Sequence, residues 1–404
     1  MRYIKREAEQ ALTRLMAQFK VVLVTGARQV GKSTMIRHVL GDTHSYVSLD
    51  SMTERISARS DPKAFIEDHP APVIIDEVQK APELLDEIKA VVDEDEETGR
   101  YVLTGSQTYG LTRGARESLA GRVGILRMSG LSVRELSGSD RVGPHVPGDP
   151  WRRSAGARPD PWQAIWRGSA PALADISLDW ELHYANYVDT YIQRDVREVL
   201  DVRSEERFFR LLRLCASRTG QLVNYADLSR DAGVDDKTAK SWVSVLMGAG
   251  IVTLVDSMAP SESSGLARAP KLYLMDTGLA CYLLGLDGPD AARRGNASGA
   301  LFETLAVTEL IKSFLNSGLP AGHVRYFRER SGRRREIDAV VRSGSFLYPI
   351  EVKETAHPGQ ADAANLWAVD GIGGLPVAAG EVICATEEPY SVARNVRALS
   401  VWDI

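Results

Sequence analysis

The 404-residue chain has little cysteine, and Cys215, Cys281 and Cys384 are scattered without a Cys-x-x-Cys pair. That excludes a disulfide scaffold and a cysteine-rich zinc site, and it fits a reducing compartment. The seven histidines form no His-Glu-x-x-His pattern. No apolar run approaches the ~20 residues of a membrane span. The start, Met1-Arg-Tyr-Ile-Lys-Arg-Glu7, lacks the apolar stretch of a signal peptide. The expectation is a cytoplasmic protein with no membrane partner. A large net charge is missing too: 49 basic against 54 acidic residues leave −5. The whole chain is therefore no basic wrapper of nucleic acid, and any such site must be a local patch. What is present, 44% hydrophobic and 25% charged residues, describes a globular chain long enough for two or three domains at roughly 150 residues each.

Strand and helix patterns alternate through the first third. Residues 1–20 space their apolar side chains as a helix, and Val21–Thr25 reads as a buried strand followed by a glycine-rich turn and a helix over 32–40. Further strands are expected at Tyr46–Asp50, Val73–Asp76, Tyr101–Thr104 and Gly124–Met128, with a helix over Pro82–Val92. Strands apolar on both faces imply a parallel sheet covered on both sides. Residues 137–162, rich in Pro, Gly and Arg, read as a linker. Helical patterns follow, then a short helix from Tyr225, a turn at Gly233, a helix from Asp235 and an apolar strand, a helix-turn-helix with a wing. A polar loop spans Pro260–Ala269. A last αβ region should hold a helix over 299–315, strands near 324–328, 336–342 and 346–352, a further helix, and a strand over 381–385.

The sharpest chemistry lies in Gly26-Ala27-Arg28-Gln29-Val30-Gly31-Lys32-Ser33-Thr34, which fits G-x-x-x-x-G-K-[ST] after an apolar strand and at a helix start. Glycines let successive N–H groups turn inward toward phosphates, and the helix N-terminus adds positive potential. Lys32 would reach the β- and γ-phosphates of ATP and Ser33 would hold Mg²⁺. Asp76, ending Val73-Ile-Ile-Asp76-Glu77, would complete the Mg²⁺ shell, and Glu77 would polarise the attacking water. Thr104, in Thr104-Gly-Ser106, is placed to sense the γ-phosphate. Arg122 is a candidate arginine finger toward a neighbouring subunit's nucleotide, with Arg127 and Arg116 as rivals. No Asn-Lys-x-Asp occurs to read guanine.

These motifs, together with Leu119-Ala-Gly-Arg122, Tyr191-Ile-Gln-Arg-Asp-Val196 and Pro270-Lys-Leu-Tyr-Leu-Met-Asp-Thr-Gly-Leu-Ala280, resemble a prokaryotic AAA-type P-loop ATPase family. Its members carry a C-terminal domain of unknown function with a winged helix and a restriction-endonuclease-like fold. The resemblance implies an α/β protein, with an AAA-type parallel sheet over 1–136, a helical and winged-helix region over 163–258, and a nuclease-like αβ domain over 265–404; it does not cover the 137–162 linker. It also implies ATP hydrolysis and a homo-oligomer, a hexamer being one size open to it.

In the last domain, Asp338 is followed by Glu351-Val-Lys353, and alternation puts Glu351 and Lys353 on one strand face. Asp338 and Glu351, with Glu303 from a helix, could share a second divalent metal while Lys353 orients water. The pattern resembles PD-(D/E)XK nucleases, although Ile337 replaces the proline; a salt-bridged hairpin edge explains it equally. Between 324 and 342 stand seven basic residues against three acids, so Arg330, Arg333, Arg334 and Arg335 are candidate DNA contacts, as are Lys237 and Lys240 of the helix-turn-helix. The leading expectation is an ATPase that remodels DNA, in particular structured or branched DNA, as an oligomer. The alternatives are a nucleotide-switched signalling or defence protein that docks a protein, and an ATP-regulated metal-dependent DNA nuclease.

Overall fold

The computed structural model describes residues 3–105, 114–115, 117–148, 158–192, 205–259, 268–329 and 335–404. Ser106, Arg116, Arg330, Arg333, Arg334, most of the 191–196 motif and the middles of both polar loops lie outside the described residues.

The first sheet forms where the sequence runs apolar. β1 (Val21–Gly26), β2 (Ser45–Ser48), β3 (Val73–Asp76), β4 (Tyr101–Gly105) and β5 (Val123–Met128) lie in the order β2-β3-β4-β1-β5, all parallel. β1, β3 and β4 are buried along their whole length, as strands covered on both faces must be. Val22, Val24 and Val102 pack under α1 (Ala8–Met16) and α2 (Lys32–Leu40). Leu23, Ile75 and Leu103 pack on the other face against the helix Leu84–Glu94. The parallel register carries the C-terminal ends of β1, β3 and β4 to one edge, the place where such sheets hold ligands. The first helix is shorter than its apolar spacing predicts. The N–H groups of Arg6 and Glu7 are taken by the carboxylates of Glu9 and Glu135, so the chain enters the helix only at Ala8.

The middle region is helical, with a small sheet. Its elements run α3 (Glu205–Ser217), β6 (Gln221–Leu222), α4 (Tyr225–Ala232), α5 (Asp236–Gly248), β7 (Val252–Val255) and β8 (Lys271–Leu274). The strands pair antiparallel as β6-β8-β7. Asn224 caps α4 and Asp235 caps α5, each accepting backbone N–H groups, and Gly233 makes the turn between them at φ +73°. β8, paired with β6 and β7, belongs to this sheet and not to the last domain expected over 265–404. Its burial at every position announces a strand without saying which sheet receives it.

The last region wraps α6 (Ser298–Asn316), buried on almost every side, with a mixed sheet. β9 (Val324–Arg328), β10 (Glu336–Ser343), β11 (Phe346–Val352), β12 (Gly380–Cys384), β13 (Tyr390–Ala393) and β14 (Val396–Ser400) lie in the order β13-β14-β12-β11-β10-β9. The helix expected between β11 and β12 is replaced by 3₁₀ turns at Leu366–Val369 and Ile372–Gly374. Gly371, Gly373 and Gly374 there adopt positive φ, which an α-helix cannot hold. The start of the 137–162 linker is also no free linker. Arg134 donates to Gly143 O at 2.7 Å, Arg141 to Asp403 O at 2.7 Å, and His145 meets Glu381 at 2.7 Å, strapping the segment to the last domain.

Candidate nucleotide site and the C-terminal carboxylate cluster

The turn after β1 is possible only because of its glycines. A Cβ on Gly26 would sit 2.1 Å from Met128 O, and Gly31 takes φ +90°. Gln29 holds φ +61° without being glycine, a backbone state that persists only where its surroundings over-determine it. Lys32, buried at the start of α2, donates its ammonium to Gly26 O at 3.0 Å and Ala27 O at 2.8 Å. Asp76 collects hydroxyls from three elements. Ser33 Oγ lies 3.0 Å from both carboxylate oxygens, Tyr46 OH donates to Oδ2 at 2.7 Å, and Thr104 Oγ1 donates to Oδ1. The fold thus brings together Lys32, Ser33, Asp76 and Thr104 from separate stretches of the chain. Glu77 follows in the left-handed region at φ 59°, and its carboxylate accepts from Gln79 Nε2. Thr34 is exposed on α2.

Tyr46 was not singled out by the sequence; only the β2–β3 pairing, with Ser48 beside Asp76, brings its ring to the carboxylate. Arg122 stands at the opposite end of the sheet, where its backbone O accepts from Val21 N and its guanidinium pairs with Asp93 and Ala120 O. It therefore faces away from its own phosphate loop. Arg127, its rival, ends β5 level with Thr25 and lines a cavity of about 720 Å³ beside the loop. That cavity runs from Ala27 and Met128 to Tyr184, Met247 and Ile251, joining the first sheet to the helical middle region. Gly250, after α5, comes so near that its Cβ would lie 3.3 Å from Ala27.

Three family profiles match the chain: one described as AAA domain over residues 18–137, and domains of unknown function DUF8612 over 158–290 and DUF4143 over 298–404. The uncharacterized proteins Rv2008c of Mycobacterium tuberculosis and Mb2031c of Mycobacterium bovis are each 30% identical over 358 residues, covering 88% of this chain and 75% of the relative. The chain belongs to this family of AAA-type P-loop ATPases. Among solved structures, the Walker-type ATPase PABY2304 of Pyrococcus abyssi aligns at 14% identity over 70% of this chain and 96% of that one, with a TM-score of 0.45. The RuvB Holliday junction branch migration motor of Thermotoga maritima aligns at 18% identity over 61% and 88%, with a TM-score of 0.29. Among the described residues of the ATPase, no helix is long and apolar enough to cross a membrane.

The C-terminal acids of the ATPase converge, but on a lysine. Lys271, on β8, has a side chain only 4% exposed. Its ammonium lies 2.9 Å from Glu303 on α6, and 2.8 Å and 3.5 Å from Glu336 and Asp338 on β10. Tyr273 OH donates to Glu303 at 2.7 Å, and Val352 N donates to Asp338 at 2.9 Å. Burial alone would pull the Lys271 ammonium toward neutrality, yet the three carboxylates hold its pKa above the ordinary lysine value. Burial and then Asp338's charge push Glu351 up to about 7, and the same two causes raise Glu303. Lys353 pairs with Glu351 at 2.7 Å. Among the described residues no three His, Cys, Asp or Glu side chains are grouped to hold a metal ion. Lys271 and Glu336 both escaped the sequence reading. The lysine stands in a quoted motif, but its charge could be placed only by the fold. Asp276 of the same motif accepts from Tyr184 OH at 2.9 Å and Ser169 Oγ at 3.0 Å while capping the next helix. Of the basic stripe, Arg335 is bound by both prongs to Glu329 at 2.9 Å. Lys237 and Lys240 are exposed on α5.

Proposed function

We propose that this ATPase binds and remodels DNA as an oligomer, with ATP held on Gly26–Thr34. Lys32 neutralises the β- and γ-phosphates. Ser33 and Asp76 would hold Mg²⁺, for which a hydroxyl and a carboxylate are suitable hard oxygen donors, and the ion would supply positive charge beside the phosphates. Thr104 and Tyr46 orient Asp76, and Glu77 takes the proton of the attacking water. The base and ribose enter the cavity beside Met128 and Ile251. The observation that carries the hydrolytic reading is the set of three hydroxyls on Asp76 at the mouth of the loop.

For DNA, the support is the element order α3-β6-α4-α5-β7-β8, consistent with a winged helix, with Lys237 and Lys240 exposed on the second helix of the α4–turn–α5 unit. Two ammonium groups beside capped acids suit phosphate contacts better than base readout. Arg122, at the far end of the sheet, would act across a subunit boundary. The nuclease alternative draws no support from the acid cluster, because Lys271 already supplies the positive charge that a metal would bring. The test is ATP turnover with duplex, forked and four-way DNA, alongside solution mass with and without nucleotide. Stimulation lost in Lys237→Ala/Lys240→Ala supports the reading. Indifference to every DNA favours a switch that docks a protein.

A further inference from the structure

We propose that Arg6 is a positioning residue of the phosphate loop, an inference that rests on reading Gly26–Thr34 as the ATP site. The Arg6 side chain is 3% exposed, and each of its three nitrogens donates a hydrogen bond. Nη1 donates to Val30 O at 2.6 Å, Nη2 to Ser129 O at 2.9 Å, and Nε to Glu135 Oε1 at 2.9 Å. Val30 lies between Gln29 and Gly31, two of the loop's positive-φ residues. In a planar trans peptide the C=O and the following N–H point to opposite sides. Fixing Val30 O toward the guanidinium therefore aims Gly31 N–H away from it, as an inward-facing phosphate donor must be aimed.

The other side of the clamp is equally fixed. Ser129 and Glu135 follow β5, and Glu135 also accepts from Glu7 N and Ser132 N, both at 2.8 Å. This segment is bolted in turn to α6: Val133 N donates to Glu309 at 2.8 Å and Lys312 donates to Leu131 O at 3.0 Å. Arg6 thus ties the loop to a frame that includes the C-terminal helix. A planar fork suits these three acceptors, because Nε, Nη1 and Nη2 present N–H groups at separate points whereas an ammonium offers all of its donors from one atom.

Arg6 touches the loop and not the reacting atoms, so its loss should weaken ATP and ADP binding alike. In the full chain, Arg6→Met should raise the Kd for a fluorescent ATP analogue, and KM with it, by roughly tenfold, while kcat at saturation moves less than about threefold, the pattern of lost uniform binding. Arg6→Lys should remain weak. Unchanged KM with a lower kcat, the signature of fewer folded molecules, would overturn the proposal, as would unchanged binding in either variant. If Arg6→Met does not fold, Glu135→Gln decides: a raised KM supports the clamp and an unchanged one sinks it. Wild-type protein that binds no ATP removes the nucleotide reading itself, whereas wild type and Arg6→Met binding equally removes only the clamp.

Discussion

The phosphate loop and the C-terminal acid cluster use the same residue types to opposite ends. In the first, Lys32 donates to two backbone carbonyls, which are neutral acceptors. The neighbouring carboxylate, Asp76, accepts hydrogen bonds from the hydroxyls of Ser33, Tyr46 and Thr104. In the second, Lys271 is surrounded by three carboxylates and almost fully buried. Its charge is consumed inside the protein. A lysine beside acids is thus a ligand site or a structural plug according to whether its partners are ions or dipoles.

Four changes test this contrast, in order of expected effect. Glu77→Gln should leave ATP binding intact and lower turnover by roughly two to four powers of ten, the worth of a positioned proton acceptor; parallel loss of binding would remove Glu77 from that role. Lys32→Ala should cost roughly two to three powers of ten in kcat/KM, as losing one preorganised donor to developing charge does, measured by phosphate release. Lys271→Met should behave differently, destabilising the fold by about 3–5 kcal/mol at pH 7.5, the usual cost of stranding one side of a buried ion pair. Denaturant titration at pH 5 should show a smaller loss, because Glu303, whose pKa burial and the charge of Asp338 already raise, can take up a proton there. An equal loss at both pH values would mean that packing, not charge, is what Lys271 supplies.

The smallest effect concerns Glu351. Its pKa rises from the ordinary 4.5 to about 7 in the folded protein. Between those values the folded state holds a proton that the unfolded chain has released. Stability therefore falls as pH rises through this window, by roughly 3 kcal/mol. Glu351→Gln should flatten that slope; an unaltered slope would place the titration elsewhere.

The first sheet was legible because its strands are short apolar runs and its loop has one spacing that chemistry permits. The glycines at 26 and 31, the lysine and the hydroxyl are adjacent in sequence, so no folding is needed to see them as a unit. Asp76 and Thr104 were legible as strand ends. The acids Glu303, Asp338 and Glu351 were legible as a candidate group, but their partner was not. Lys271 comes from a strand that pairs with the helical region, and hairpin alternation says nothing about a side chain arriving from another sheet. Arg6 was hidden for the same reason. Its partners are carbonyls and a carboxylate at residues 30, 129 and 135, and backbone carbonyls leave no mark in an amino-acid sequence.

Local order along the chain therefore settled the parallel sheet, the phosphate loop and the helix-turn-helix, since each depends on neighbours within a few residues and on a fixed period of burial. Tertiary structure alone decided which positive charge meets which negative one. Electrostatic partners are chosen by distance in space, and those of Lys271 and Arg6 come from strands and helices far apart along the chain.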